Sequence, residues 1–189
     1  MRSELGRALR RLRPDRRRTA FARRPNAELA FVEHGPPFPP KLLLDTTVYI
    51  DELQGRAGDA VELALRACDL WHASVAAAEL ALALGRLDPA DARTRKAAAQ
   101  CRAALERIPG HKVLTPDGVV WCEAGIAAGI LARTQGYGRD ARLRALNDAL
   151  ILLTARKHGC AVLTRNVADF DVLSQLIGGA RAVFYRTRC

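Results

Sequence analysis

Three carboxylates stand where the surrounding pattern calls for apolar side chains. Asp45 directly follows Leu42-Leu43-Leu44, Glu79 is the only charge between Ala73 and Gly85, and Asp148 is the only charge between Ala145 and Ala155. A fourth acidic group lies in Thr164-Arg165-Asn166-Val167-Ala168-Asp169-Phe170-Asp171, again just after a short apolar run. A buried carboxylate is costly unless a cation compensates it. Several that converge repel one another unless a hard divalent ion such as Mg²⁺ or Mn²⁺, which prefers oxygen ligands, sits between them. An ion held this way can activate water against a phosphodiester without a protein nucleophile. Each acid also has a plainer reading. Asp45 fits a turn or helix cap, and Glu79 fits a narrow solvent-facing stripe. Asp148 suits the first turn of a helix, where the macrodipole favours a carboxylate by about 0.3–1 kcal/mol. Asp171 reads as part of an ordinary surface loop.

The elements that must carry these acids alternate between strand and helix. Leu42–Leu44, Trp71–Ala73, Val113–Leu114, Ala161–Thr164 and Ala182–Phe184 are short apolar runs that suit buried strands. Between them, helices are expected over 58–70, over 75–85 with Ser74 as cap, and from Pro89 to just before Pro109-Gly110. Two more are expected from Pro116 to about Thr134, and over 146–158, where Gly159 stops the last. This alternation implies an α/β domain with a mostly parallel sheet, whose ligands gather at the carboxyl ends of the strands. Asp45 and the 164–171 segment both fall at such ends.

The chain has 189 residues, enough for one domain with a real core. Its net charge of +10 is carried almost wholly by arginine and fits a polyanionic partner, nucleic acid before an anionic membrane. Ten arginines against four acids in residues 1–40 give +6, leaving only +4 for residues 41–189. The first forty residues end in Gly35-Pro36-Pro37-Phe38-Pro39-Pro40 and read as a basic, Pro-rich extension, an arm outside the core of a 41–189 domain. A short helix is expected near its start, with Leu5, Leu9 and Leu12 on one face. No run approaches the roughly 18 apolar residues of a membrane span, and no apolar stretch follows the first arginines as a secretory signal requires. Five scattered cysteines and four scattered histidines show neither CxxC nor HxxxH spacing. A reducing cytoplasm is therefore expected, without disulfides or a His-based metal site.

Leu43-Leu44-Asp45-Thr46-Thr47-Val48-Tyr49-Ile50-Asp51 resembles the opening motif of PIN-domain nucleases, especially the VapC-like toxins of toxin–antitoxin modules. Ser74-Val75-Ala76-Ala77-Ala78-Glu79-Leu80 resembles their second acidic motif. Asn147-Asp148-Ala149-Leu150-Ile151 and Val162-Leu163-Thr164-Arg165-Asn166-Val167-Ala168-Asp169-Phe170 resemble the third and fourth, in the family's order. The resemblance covers about 41–185. It implies a PIN-like α/β/α sandwich and a metal site of Asp45, Glu79, Asp148 and Asp169, with Thr46, Thr164 and Asn166 as polar supports. It further implies Mg²⁺- or Mn²⁺-dependent cleavage of RNA, a homodimer, and a cognate antitoxin that covers the site. The forty residues ahead of the first strand depart from the family pattern.

Other readings stay open on the sequence. Asp45-Thr46-Thr47 also fits the D-x-T nucleophile of haloacid-dehalogenase-type phosphotransferases, which require a late lysine, here only Lys157, and a paired acidic motif that this chain lacks. A housekeeping PIN nuclease of RNA processing would use the same chemistry. A PIN-like module that binds RNA or protein without cutting would keep the fold alone.

Overall fold

The computed structural model describes residues 2–188 other than Pro89, and only the backbone of Ala92 and Arg93. Five parallel strands, β1 (Lys41–Leu44), β2 (Asp69–Ala73), β3 (Val113–Leu114), β4 (Ala161–Thr164) and β5 (Ala182–Phe184), form one sheet in the order β3-β2-β1-β4-β5. The chain steps outward from β1 to β3, then returns to β4 on the other side of β1. Right-handed crossovers put the helices of the two halves on opposite faces. The helices α2 (Thr46–Leu53), α3 (Asp59–Ala67), α4 (Ser74–Gly85) and α5 (Ala92–Glu106) belong to the first half. The second half holds α6 (Gly118–Thr134), α7 (Arg139–His158) and α8 (Val167–Ile177), with α1 (Arg2–Leu12) packed on α6 and α8. The architecture is the expected α/β/α sandwich, with every strand parallel.

Burial explains why the central elements form. Leu42, Leu43 and Leu44 of β1 and all four residues of β4 are buried, as strands covered on both faces must be. Helix α7 is buried continuously from Asp148 to Ala155, wedged between the sheet and α6, and Gly159 closes it in the left-handed conformation at φ 72°. It begins at Arg139, seven residues before the expected start. Asp148 is therefore well inside the helix, and the macrodipole of a first turn cannot account for it. Helix α2 follows β1 with Asp45 as its cap, one of the two roles its position suggests, and α8 follows β4 where the sequence suggests only a loop, with Asn166 as its cap. Ser74 is the first residue of α4 rather than its cap, and α5 starts at Ala92; the expected start at Pro89 lies outside the described residues.

Residues 1–40 depart from the arm expected from their composition. Leu12, Leu29, Phe31 and Val32 belong to the main core, and Phe184 N on β5 donates to Ala30 O at 2.8 Å. On α1 the buried pair is Ala8 and Leu12, one turn apart, while Leu9 is exposed. The segment then crosses the second-half helices. Pro14 O accepts from Arg133 Nη2, Phe21 O from Gln135 Nε2 and Ala22 O from Gln175 Nε2, each at 3.0 Å. Ten arginines mask this packing in the sequence because only a few apolar anchors carry it.

Among the described residues no helix is long and apolar enough to cross a membrane. Cys68, Cys101, Cys122 and Cys160 are free thiols, and Cys189 lies outside the described residues.

Candidate active site

The reversal of strand order around β1 opens a crevice at the carboxyl ends of β1 and β4, where α/β sheets bind ligands. Asp45 stands at the end of β1, and its N–H donates to Leu163 O on β4 at 3.1 Å. It also caps α2, a role that leaves its carboxylate facing the crevice. Its Oδ2 accepts from Thr47 Oγ1 and from Thr164 Oγ1, both at 2.7 Å. Glu79 comes from α4; its Oε2 accepts from the Thr46 hydroxyl and its Oε1 from Asn147 Nδ2 at 2.7 Å. Asp169, in the first turn of α8, accepts from Asn166 Nδ2 at 2.9 Å and from the Tyr137 hydroxyl at 3.5 Å. Asn166 also donates to Asp148 Oδ2 at 3.4 Å, and its own Oδ1 accepts from Asp169 N at 3.3 Å.

These partners are neutral hydroxyls and amides, so the four charges are oriented but not neutralised. Asp148 is 8 % exposed, and among the described residues its one hydrogen bond is the long one from Asn166. Burial first, then Asp45, Asp169 and Glu79 in turn, hold its carboxyl well above the ordinary range, offset only by Arg144. Asp45 is raised as well. Burial outweighs the stabilising bonds from Thr47, Thr164 and the Thr46 backbone, and Glu79 adds repulsion. Acids from four separate elements thus sense one another across one crevice.

Among the described residues no three His, Cys, Asp or Glu side chains are drawn together as a ready ligand shell. The threonine and asparagine groups space the acids instead. The chemistry of the donor set nevertheless fits a hard divalent cation: the set is all oxygen, carries several negative charges, and includes a buried carboxylate, Asp148, with no ion-pair partner among the described residues. Asp45, Glu79, Asp148 and Asp169 are the residues that would hold it.

The structure thus brings all four sequence-derived acids to one crevice, with Thr46, Thr164 and Asn166 bonded to them. Asp171 belongs elsewhere. It is not on a surface loop but fully buried on α8, where it accepts from Arg24 N and Arg24 Nε at 2.7 Å each, and from Gln175. Lys157, which a phosphotransferase would need beside Asp45, is paired with Asp117 near the far end of α7. Three contributors escaped the sequence reading: Thr47, Asn147 and Tyr137. The first two lie inside quoted motifs, Thr47 two residues after Asp45 and Asn147 directly before Asp148. Tyr137 lies in a Gly-flanked loop between α6 and α7, and only the packing of that loop against α8 brings it near Asp169.

A second buried acid supports the crevice from behind. Asp51, on α2 and fully buried, accepts from Arg56, from Arg165 Nε at 2.7 Å and from the Tyr185 hydroxyl at 2.8 Å. Arg165 N in turn donates to Thr47 Oγ1 at 3.1 Å, so this ion-pair cluster fixes the threonine that holds Asp45.

A parallel α/β sheet with four carboxylates gathered at the switch point defines a class of acid-centred α/β domains. The model of one such family, described as PIN domain, matches residues 42–174, and the chain belongs to that family, whose members are nucleases. No curated protein matches the chain. Among solved structures it is similar to FitAcB from Neisseria gonorrhoeae, at 23 % identity over 76 % of this chain and 96 % of that one, TM-score 0.53. It is similar to the same degree of fold to DNA-bound VapBC from Salmonella typhimurium, at 22 % identity over 76 % and 97 %, TM-score 0.53. VapBC2 from Rickettsia felis, bound to a fragment of its promoter DNA, matches at 14 % identity over 77 % and 99 %, TM-score 0.52. At these identities the likeness is one of fold.

Proposed function

We propose that this chain is a divalent-metal-dependent endoribonuclease, the toxin of a toxin–antitoxin pair. The observation that carries the reading is the convergence of Asp45, Glu79, Asp148 and Asp169 on one crevice with only neutral partners. A bound Mg²⁺ or Mn²⁺ supplies Lewis-acid polarisation of a phosphodiester and activation of water. The protein's part is orientation. Thr47 and Thr164 aim Asp45, Thr46 and Asn147 aim Glu79, and Asn166 sets the spacing between Asp148 and Asp169. The Tyr137 hydroxyl, half-exposed at the rim, donates towards Asp169.

The antitoxin part of the proposal draws on the VapBC and FitAcB neighbours and on one surface of this chain. Helix α4 is not buried as its apolar sequence suggests. Only Ala76 and Leu80 are, while Leu82 is 61 % exposed; on α6, Trp121 is 49 % exposed. With Val75 and Ala78 they line an apolar groove of about 310 Å³ that ends at Glu79 and Asn147. A protein covering this groove would also cover the site.

The test is cleavage of a single-stranded RNA by wild type and Asp45→Asn, each with Mn²⁺ and with EDTA. Cleavage by the wild type in Mn²⁺ alone is expected. Activity that survives EDTA, or that Asp45→Asn retains, overturns the reading.

A further inference from the structure

The most one-sided surface of the molecule lies in the segment that precedes β1. Arg10, Arg11, Arg13, Arg16 and Arg17 alone line a cleft of about 300 Å³ at the end of α1. Arg11 is engaged by Glu123, and Arg16 faces Asp15 at 3.8 Å with both side chains about three-quarters exposed. Arg10, Arg13 and Arg17 have no carboxylate partner among the described residues. Arg13 Nε and Arg17 Nε bond instead to the carbonyls of Arg10 and Leu12, which splay the guanidinium groups around the turn. Arg17 is held further by stacking over Phe21, 5.6 Å from the ring centroid. Three of the five thus gather without an acid, at a cost in mutual repulsion that the fold does not explain.

The position of this cleft links it to the crevice. The chain is pinned to the carboxyl-terminal end of α6 within the cleft segment, where Arg133 donates to Pro14 O, and again just beyond it, where Gln135, two residues before Tyr137, donates to Phe21 O. It is then pinned to α8 through Arg24 and Asp171, two residues beyond Asp169. Phe21 is five positions beyond Arg16, a span of at most about 18 Å even when extended. The elements that carry Tyr137 and Asp169 therefore also carry the arginines.

We infer that the 10–17 cleft is a phosphate-backbone track, which holds the RNA strand beside the crevice and leads it towards the Tyr137–Asp169 rim. Guanidinium groups in a fixed array suit phosphate oxygens and carry no base information, so the track would contribute affinity without sequence preference. The identification of the strand as RNA rests on the ribonuclease reading; the surface itself does not.

Binding, kept apart from cleavage, tests it. In an Asp45→Asn background with EDTA, the affinity for a single-stranded RNA oligonucleotide is measured across a salt series. Neutralising Arg10, Arg13 and Arg16 to Gln is expected to reduce the slope of log K against log salt by about 2, at about 0.7 per lost phosphate contact. Each single substitution should remove about 0.7, which keeps the test sound if the triple variant folds poorly. The three Lys replacements should leave the slope almost intact. Neutralising the exposed Arg95, Arg102 and Arg107 on the opposite side of the sheet, an equal loss of charge, should not reduce it.

An unchanged slope in the first triple variant, or an equal fall in the second, overturns the track. So does a loss confined to binding of phosphatidylglycerol vesicles, which would mark the cleft as a membrane contact. Absence of Mn²⁺-dependent cleavage together with a reduced slope would defeat the nuclease reading and leave the track standing.

Discussion

Thr164 on β4 donates its hydroxyl to Asp45 Oδ2 at the end of β1, so neighbouring strands share one hydrogen bond at the centre of the crevice. Thr164 is completely buried, and its Oγ1 also accepts from Asn166 N at 2.9 Å. Replacing it with Val keeps the shape but leaves a buried carboxylate and a backbone N–H each short of a partner. A loss of about 1–3 kcal/mol in urea unfolding is expected, with Thr164→Ser recovering most of it. An unchanged urea midpoint for the Val variant would show that this bond does not matter.

Asp148 carries the opposite expectation. Its carboxylate is buried among three like charges, so Asp148→Asn should stabilise the metal-free protein. Added Mn²⁺ should raise the melting temperature of the wild type and have little effect on the variant, because a ligand stabilises only the state that binds it. Thermal unfolding in EDTA and in Mn²⁺ measures both. A variant that melts lower than wild type in EDTA contradicts this account.

Asp171 separates structure from chemistry within one helix. Asp171→Asn weakens the hold on Arg24 and should lower stability by about 1–2 kcal/mol. It should also speed tryptic cleavage among Arg13–Arg24, because that strap is freed before the core opens. Asp169→Asn should leave the rate of tryptic nicking as it is. Mass mapping of early fragments distinguishes the two.

His72 gives a pH dependence with a definite sign. It is half-buried, its Nδ1 lies 2.6 Å from the Tyr49 hydroxyl, and burial, with Lys112 adding repulsion, lowers its folded-state pKa below 6.5. The unfolded chain therefore binds a proton that the folded chain refuses. Stability from this group is complete above about pH 6.5 and falls as pH drops towards the lower folded value, by no more than about 1.4 kcal/mol per pH unit. Urea midpoints between pH 5 and 7.5 should show this slope diminished in His72→Gln. An identical slope in the variant would assign the effect to other groups.

Asp45, Glu79, Asp148 and the five strands are readable from the chain because each breaks or makes a local pattern: a charge in an apolar run, or an apolar run between turns. Asp169 is set apart from Asp171 only by the resemblance to the family's last motif. What stays hidden depends on contacts between distant segments. Arg24 and Asp171 lie 147 positions apart, and neither stands out from its neighbours. The burial of Leu12, Leu29 and Phe31 is obscured because arginine stems cover apolar surface while their heads stay wet. Helix α8 is hidden for another reason. Asn166, Asp169 and Asp171 look like loop chemistry, yet Asn166 caps the helix and Asp171 is inside it. Helix α4 errs in the other direction, since apolar composition reports what a face can bury and not whether this chain covers it.

The bond from Phe184 N to Ala30 O, with Phe31 and Phe184 packed tilted at 5.7 Å, joins a segment ahead of the first strand to the last one. During synthesis the early partner must wait until β5 has emerged from the ribosome. Asp169 likewise precedes β5 by only thirteen residues. Assembly of the crevice and docking of the strap therefore wait for α8 and β5. A nascent product that stops short of α8 would lack both, and would carry the acids of β1 and α4 without Asp169.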